Sequence, residues 1–178
     1  MQNKSFKSMQ CPVARSLDRV GEWWSILILR DAMRGVTRFD DFQKSLGIAT
    51  ATLTRRLDSL VKAGLLERRP YQERPQRFEY VLTACGEDFR PVIWSMIAWS
   101  NRNFAPEGPS LVIVDKESGA WADPVLVDRN TGNPLAKPQY DVVAGPAAGE
   151  TLQARYPFRS EAPGTALIER PPLSNQEQ

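Results

Sequence analysis

RFDDFQKSLGIATATLTRRLDSLVKAG, residues 38 to 64, contains two helical patterns separated by one glycine. Phe39, Phe42 and Leu46 fall at i, i+3 and i+7 on one face, and Gly47 stops the pattern. A second helix is expected from about Ala49 to Ala63, ended by Gly64, with Leu53, Leu57, Leu60 and Val61 as its buried stripe. At about 100° per residue, the opposite side carries Ala51, Thr52, Arg55, Asp58, Ser59 and Lys62, with Thr54 and Arg56 on the flanks. Near its N-terminus this outward face is small, polar and arginine-bearing. A short helix, a glycine turn and a helix with such a face make a helix-turn-helix.

The flanking sequence extends the same architecture. Val13, Leu17 and Val20 share a helical face behind Pro12, which the first turn tolerates. Residues Glu22 to Arg34 form a helix that is apolar around most of its circumference, so it belongs in the middle of a domain. Downstream, Leu65 to Tyr71 and Phe78 to Thr83 read as two strands joined by a long polar tip, Gln72 to Arg77. Thr83 is placed to cap a last helix reaching Phe104, which Pro91 should kink or delay. A basic hairpin directly behind a helix-turn-helix is a wing. The expected fold is therefore mainly α with a β-hairpin wing, a winged helix-turn-helix, plus a small C-terminal β-rich extension.

Ten of the 14 prolines lie at or after Pro106, and Ala105-Pro106-Glu107-Gly108-Pro109 is a natural stop. We expect a winged helix-turn-helix over 1–104, a hairpin-like extension over 105–150, and a loosely ordered tail over 151–178. In the extension, Val114-Asp115-Lys116-Glu117-Ser118-Gly119 and Val127-Asp128-Arg129-Asn130-Thr131-Gly132 repeat 13 residues apart. Each joins an apolar run to an Asp- and Gly-containing tight turn. Residues 1–104 carry 17 Lys+Arg against 11 Asp+Glu, net +6, whereas 105–178 carry 6 against 10, net −4. Such asymmetry suits a polyanion-binding domain with an appendage.

Composition excludes much chemistry. The 178 residues contain no histidine, so no Ser-His-Asp or Cys-His catalysis and no histidine-bound zinc is available. Two cysteines, Cys11 and Cys85, make neither a four-thiolate metal site nor a disulfide framework. We expect no metal, no cofactor and no enzymatic activity. No apolar stretch is long enough to span a bilayer, and Met1 to Gln10 lacks a secretory pattern, so a cytoplasmic location is expected.

Three segments carry a family likeness. CPV at Cys11 to Val13, the run RFDDFQKSLGIATATLTRRL, and GLLERRPYQERPQRFEYVLT together resemble the HxlR-type winged helix-turn-helix regulators of bacteria, over roughly residues 11 to 104. The resemblance implies a cytosolic, homodimeric, DNA-binding repressor or activator whose terminal helices form the dimer interface. Thr52 and Arg55 are then the base-reading candidates in the major groove, since small hydroxyl and guanidinium side chains reach base edges. Thr50 and Thr54 near the helix start, Arg56 on its flank and Arg38 ahead of the preceding helix are further DNA-contact candidates. Arg56 is equally suited to an intramolecular ion pair. Arg74 and Arg77 at the wing can follow phosphates or enter the minor groove. The bland alternative is that the hairpin arginines pair with Glu67, Glu73 and Glu79.

The expected partners are a double-stranded DNA operator and a second copy of the chain. An oxidant or small-molecule effector is an alternative mode of control. Cys11 sits where the resemblance places a thiol that senses oxidants or electrophiles in some members, with Arg15 one turn on. A buried, inert cysteine is the competing reading. A pocket between the terminal helices, near Trp23, Trp24, Trp94 or Trp99, would serve a small molecule. A reading from another class is a winged-helix protein-interaction module that binds no DNA.

Overall fold

The structure is a computed structural model that describes residues 9–158. They divide between Leu135 and Ala136 into two compact units.

In the first unit, α1 (Pro12–Val20) starts with proline in its first turn, where a missing N–H costs nothing. It buries Ala14 and Val20 and leaves Val13 and Leu17 exposed. Next come α2 (Trp23–Ala32), α3 (Phe39–Leu46) and α4 (Thr50–Lys62). Ile28 and Leu29 of α2, Phe42 of α3, and Leu53, Leu57 and Leu60 of α4 meet in one core with Ile48, Leu65, Leu66 and Tyr80. Each such side chain withdrawn from water contributes about 1.5–3 kcal/mol. The leucine stripe of α4 lies at the centre of this core, so the opposite face of that helix points outward.

The wing is longer than its composition indicates. Strands β1 (Leu66–Glu73) and β2 (Gln76–Leu82) pair antiparallel from Leu66↔Leu82 to Pro70↔Phe78. The register then shifts past Tyr71 and pairing resumes at Gln72↔Arg77 and Glu73↔Gln76. Only Arg74 and Pro75 remain as the tip, which corrects the expected six-residue connection. Exposed ribbons pair through their backbones, so polar side chains do not end a strand, and the bulge at Tyr71 resets the register. Arg38 bridges to Glu79, and the Tyr80 amide donates to the Thr37 carbonyl at 2.7 Å, which ties the loop before α3 to the wing. Burial raises the Tyr80 phenol above its ordinary pKa; Arg68 opposes that shift and Asp58 adds to it.

Two helices occupy the stretch expected to hold the last one. Thr83 caps α5 (Ala84–Glu87), its hydroxyl accepting from the Gly86 amide at 3.1 Å. A Cβ on Gly86 would fall 2.1 Å from the Leu65 carbonyl oxygen, so only glycine allows α5 to sit against the start of the wing. Pro91 delays the regular helix, and α6 (Arg90–Phe104) begins with it in the first turn. Along α6, Ile93 and Ala98 are buried whereas Val92, Trp94, Met96, Trp99 and Phe104 are exposed.

The extension within the first unit consists of tight turns. Strands β3 (Ile113–Val114) and β4 (Trp121–Ala122) flank the first 13-residue repeat, and Val127 bridges to Pro134 across the second. Asp115 accepts from the Ser118 amide at 2.7 Å, the Ser118 hydroxyl at 2.8 Å and the Glu117 amide at 3.1 Å. These donors, led by the Ser118 amide, hold its carboxyl below the ordinary value. Asp128 plays the same part, accepting from the Asn130 amide and the Thr131 hydroxyl. In the second unit, α7 (Glu150–Arg155) is the one helix among the described residues, and the Ala144 amide donates to the Tyr156 carbonyl at 2.7 Å. The expected tail beyond residue 158 lies outside the described residues. Among those described, no helix is long and apolar enough to cross a membrane.

Candidate nucleic-acid interface

The turn between α3 and α4 sets the interface. Gly47 adopts φ 60°, a left-handed conformation that costs glycine little, and its amide closes α3 on the Gln43 carbonyl. Ile48 is buried beside it and anchors the turn. Alanine at the N-cap of α4 offers no side chain to close the helix start, so the first N–H groups remain available to an anion. Gln43 of α3 donates to the Thr50 hydroxyl at 2.8 Å. That bond fixes Thr50 while leaving its own hydroxyl proton free to donate. Sequence reasoning missed Gln43, because its partner Thr50 comes within reach only through the turn at Gly47.

The candidate side chains sort into free and committed groups. Thr52 is half-buried, Arg55 is exposed, and neither side chain has a hydrogen-bond or ion-pair partner among the described residues. Thr54 is exposed and its hydroxyl donates back to the Thr50 carbonyl at 3.0 Å, which leaves it only as an acceptor. Arg56 turns inward: its side chain is 14% exposed and pairs with Glu22 at 3.1 Å. Through that pair Arg56 braces α4 against the start of α2, while its Nε is buried without a hydrogen-bond partner.

The wing arginines divide in the same way. Arg69 pairs with Glu67 two residues earlier. Arg68 stacks on the Phe78 ring at 3.6 Å and Arg38 on the Tyr71 ring at 4.6 Å, cation–π contacts that hold each guanidinium near the wing. Arg74 and Arg77 are exposed and have no side-chain ion pair among the described residues. Arg38, Arg68 and Arg77 line one cleft between the start of α3 and the wing, together with Tyr71 and Phe78. The geometry thus brings Arg38 to the wing, keeps Thr50, Thr52 and Arg55 on the open face of α4, and separates Arg56 from them.

A buried acid supports this arrangement from behind. Asp31 of α2 is fully buried; its Oδ1 lies 2.9 Å from Arg30 Nη2 and 3.6 Å from Arg34 Nη1. Its Oδ2 accepts from the Ser45 hydroxyl of α3 at 2.7 Å, and its carbonyl accepts from the Val36 amide. A buried carboxylate is tolerated only when paired and hydrogen-bonded. Asp31 therefore couples α2 to the first helix of the helix-turn-helix. Its position three residues after Ile28 on an apolar helix was the legible signal, and sequence reasoning did not use it.

Cys11 is half-buried at the N-cap of α1, and its carbonyl accepts from the Arg15 amide. The Arg15 side chain donates to the Met9 carbonyl at 3.2 Å. Cys85 is exposed on α5, and both thiols are free.

Comparison with known proteins gives a consistent result. Residues 19–108 match the model of the HxlR-like helix-turn-helix family. An uncharacterised HTH-type transcriptional regulator of Mycobacterium tuberculosis, Rv3095, is 38% identical over 135 residues, 75% of this chain and 85% of that protein. That span exceeds the family match, so the likeness reaches beyond the winged helix. Among solved structures, PA1374 of Pseudomonas aeruginosa, classed as a transcription factor, is 52% identical with a TM-score of 0.60, covering 82% of this chain and 99% of that one. PA1607, classed likewise, is 38% identical with a TM-score of 0.71, covering 80% and 100%.

Proposed function

The chain belongs to the HxlR-like helix-turn-helix family and is a DNA-binding transcriptional regulator, and from that premise we propose that it acts as a cytoplasmic, non-catalytic homodimer reading a two-fold-symmetric duplex operator. One observation carries the assignment of residues. Arg55, Arg74 and Arg77 have guanidiniums free of ion pairs among the described residues, while Arg30, Arg56 and Arg69 are already paired with carboxylates. A cation without an internal partner on an exposed face is available to a polyanion.

In this reading Thr52 and Arg55 meet base edges in the major groove, with Arg55 suited to the O6 and N7 acceptors of guanine. The open N-terminus of α4 and the Thr50 hydroxyl take a phosphate, and Thr54 and Arg38 flank it. Arg74 and Arg77 follow the backbone beside the wing. Arg56 acts indirectly, by fixing the orientation of α4 through Glu22. Dimerisation is supported by apolar side chains that a single chain leaves in water, among them Leu17, Trp23, Trp94 and Trp99. Trp23 alone is 72% exposed.

Selection of bound duplexes by the purified protein, followed by hydroxyl-radical footprinting, tests this function. The expected result is two protected half-sites about 10 base pairs apart, centre to centre. Uniform retention of all sequences, or a single unrepeated half-site, would refute the dimeric reading.

A further inference from the structure

Between α2 and α6 lies a cavity of about 220 Å³ that the DNA-binding reading does not use. Ile26 of α2 and Ile93, Met96 and Ile97 of α6 give it apolar walls, Asn101 adds an amide, and Arg30 supplies the charged group. Arg30 is partly exposed, and it spends Nε and Nη2 on one oxygen of Asp31. Its Nη1 makes no hydrogen bond or ion pair among the described residues. Arg34 approaches the same carboxylate at 3.6 Å, so two guanidiniums face one acid and the cluster keeps an excess positive charge.

We propose that this cavity binds a small amphipathic organic acid, its carboxylate on Arg30 and its hydrocarbon body against Ile26, Ile93 and Ile97. A guanidinium at the edge of an apolar cavity is a specific receptor for a planar carboxylate, because two parallel N–H donors match its two oxygens. The volume lies below the ~300–1,000 Å³ of drug-sized sites and suits a ligand of about ten non-hydrogen atoms. A cation would be repelled by the excess positive charge of the Arg30–Arg34–Asp31 cluster, and a neutral lipid would leave that excess uncompensated.

The same arginine connects the cavity to the helix-turn-helix. A bound carboxylate competes with Asp31 for Arg30, and the other oxygen of Asp31 holds Ser45 of α3 at 2.7 Å. Acid binding therefore loosens the tie that orients α3 and α4, and operator affinity falls. This second half rests on the DNA-binding reading, whereas the ligand site stands without it.

Calorimetric titration of the full chain with 3-phenylpropanoate and benzoate, against neutral benzamide, tests the site. At least one acid is expected to bind saturably, once per chain, and about tenfold tighter than the amide. Arg30→Gln, which retains one donor to Asp31, is expected to lose that preference. Ser100→Phe, at an exposed position on the cavity wall, is expected to block binding without disturbing the Asp31 cluster. The idea is overturned if neither acid binds at millimolar concentration, if benzamide binds equally, or if both variants bind as wild type does. In parallel, the bound acid should weaken operator binding in the wild type and leave it unchanged in Ser45→Ala. Acid binding without any change in operator affinity overturns the coupling alone. Failure of the ligand-free protein to bind operator refutes the DNA reading instead.

Discussion

The recognition helix and the terminal helices use apolar residues in opposite ways. On α4 the leucines Leu53, Leu57 and Leu60 are fully buried, and everything facing water is polar or small. On α1 and α6 the large apolar residues Leu17, Trp94, Trp99 and Phe104 are exposed, and the extension adds Trp121 at 71% exposure. Helix α4 is complete within one chain and offers its polar side to a ligand. The terminal face keeps its apolar surface in water within one chain, and this is the surface assigned to a second copy in the proposed dimer. One region is finished by its own core, and the other, on the proposed function, by a second copy.

Substitutions on the two sides should fail differently. Leu57→Ala opens a cavity at the centre of the core and should cost about 2–5 kcal/mol of folding stability by urea denaturation. Trp99→Glu should leave the fold intact by circular dichroism yet shift sedimentation from dimer to monomer, a loss of about 2–4 kcal/mol of association. An unchanged dimer in that variant would erase the contrast between the regions. Arg55→Ala should cost about 1–3 kcal/mol of operator binding and relax preference at one base pair. Arg77→Ala should weaken all sequences alike by less, flattening the log–log salt dependence by about 0.9. Cys11→Ser should show the smallest basal effect, none on operator affinity, while removing any diamide-induced release. A persistent diamide response would move the sensing role away from that thiol.

Most of the helix-turn-helix was legible because periodicity and glycine agree there. Phe39 to Leu46 occupies the expected α3, and α4 falls within one residue of its expected ends. What periodicity could not register was pairing. The strands run through Gln72, Glu73, Gln76 and Arg77 because backbone bonds, not side-chain alternation, hold an exposed ribbon. Nor does composition distinguish one arginine from another. Arg55 and Arg56 are adjacent in sequence, yet a rotation of about 100° leaves one in water and sends the other to Glu22. Asp31 and Gln43 were visible as letters, but their value depends on the packing of α3 on α2, which brings Ser45 to Asp31, and on the turn at Gly47, which brings Thr50 to Gln43.

The account depends on that division between free and committed guanidiniums. Nitrogen-edited NMR of the arginine Nε–H groups, recorded as operator duplex is added to the full chain, observes each one directly. Arg55, Arg74 and Arg77 should shift or broaden on binding, while Arg56 and Arg69 keep their positions. Movement of Arg56 and Arg69 with the other three unchanged would contradict it.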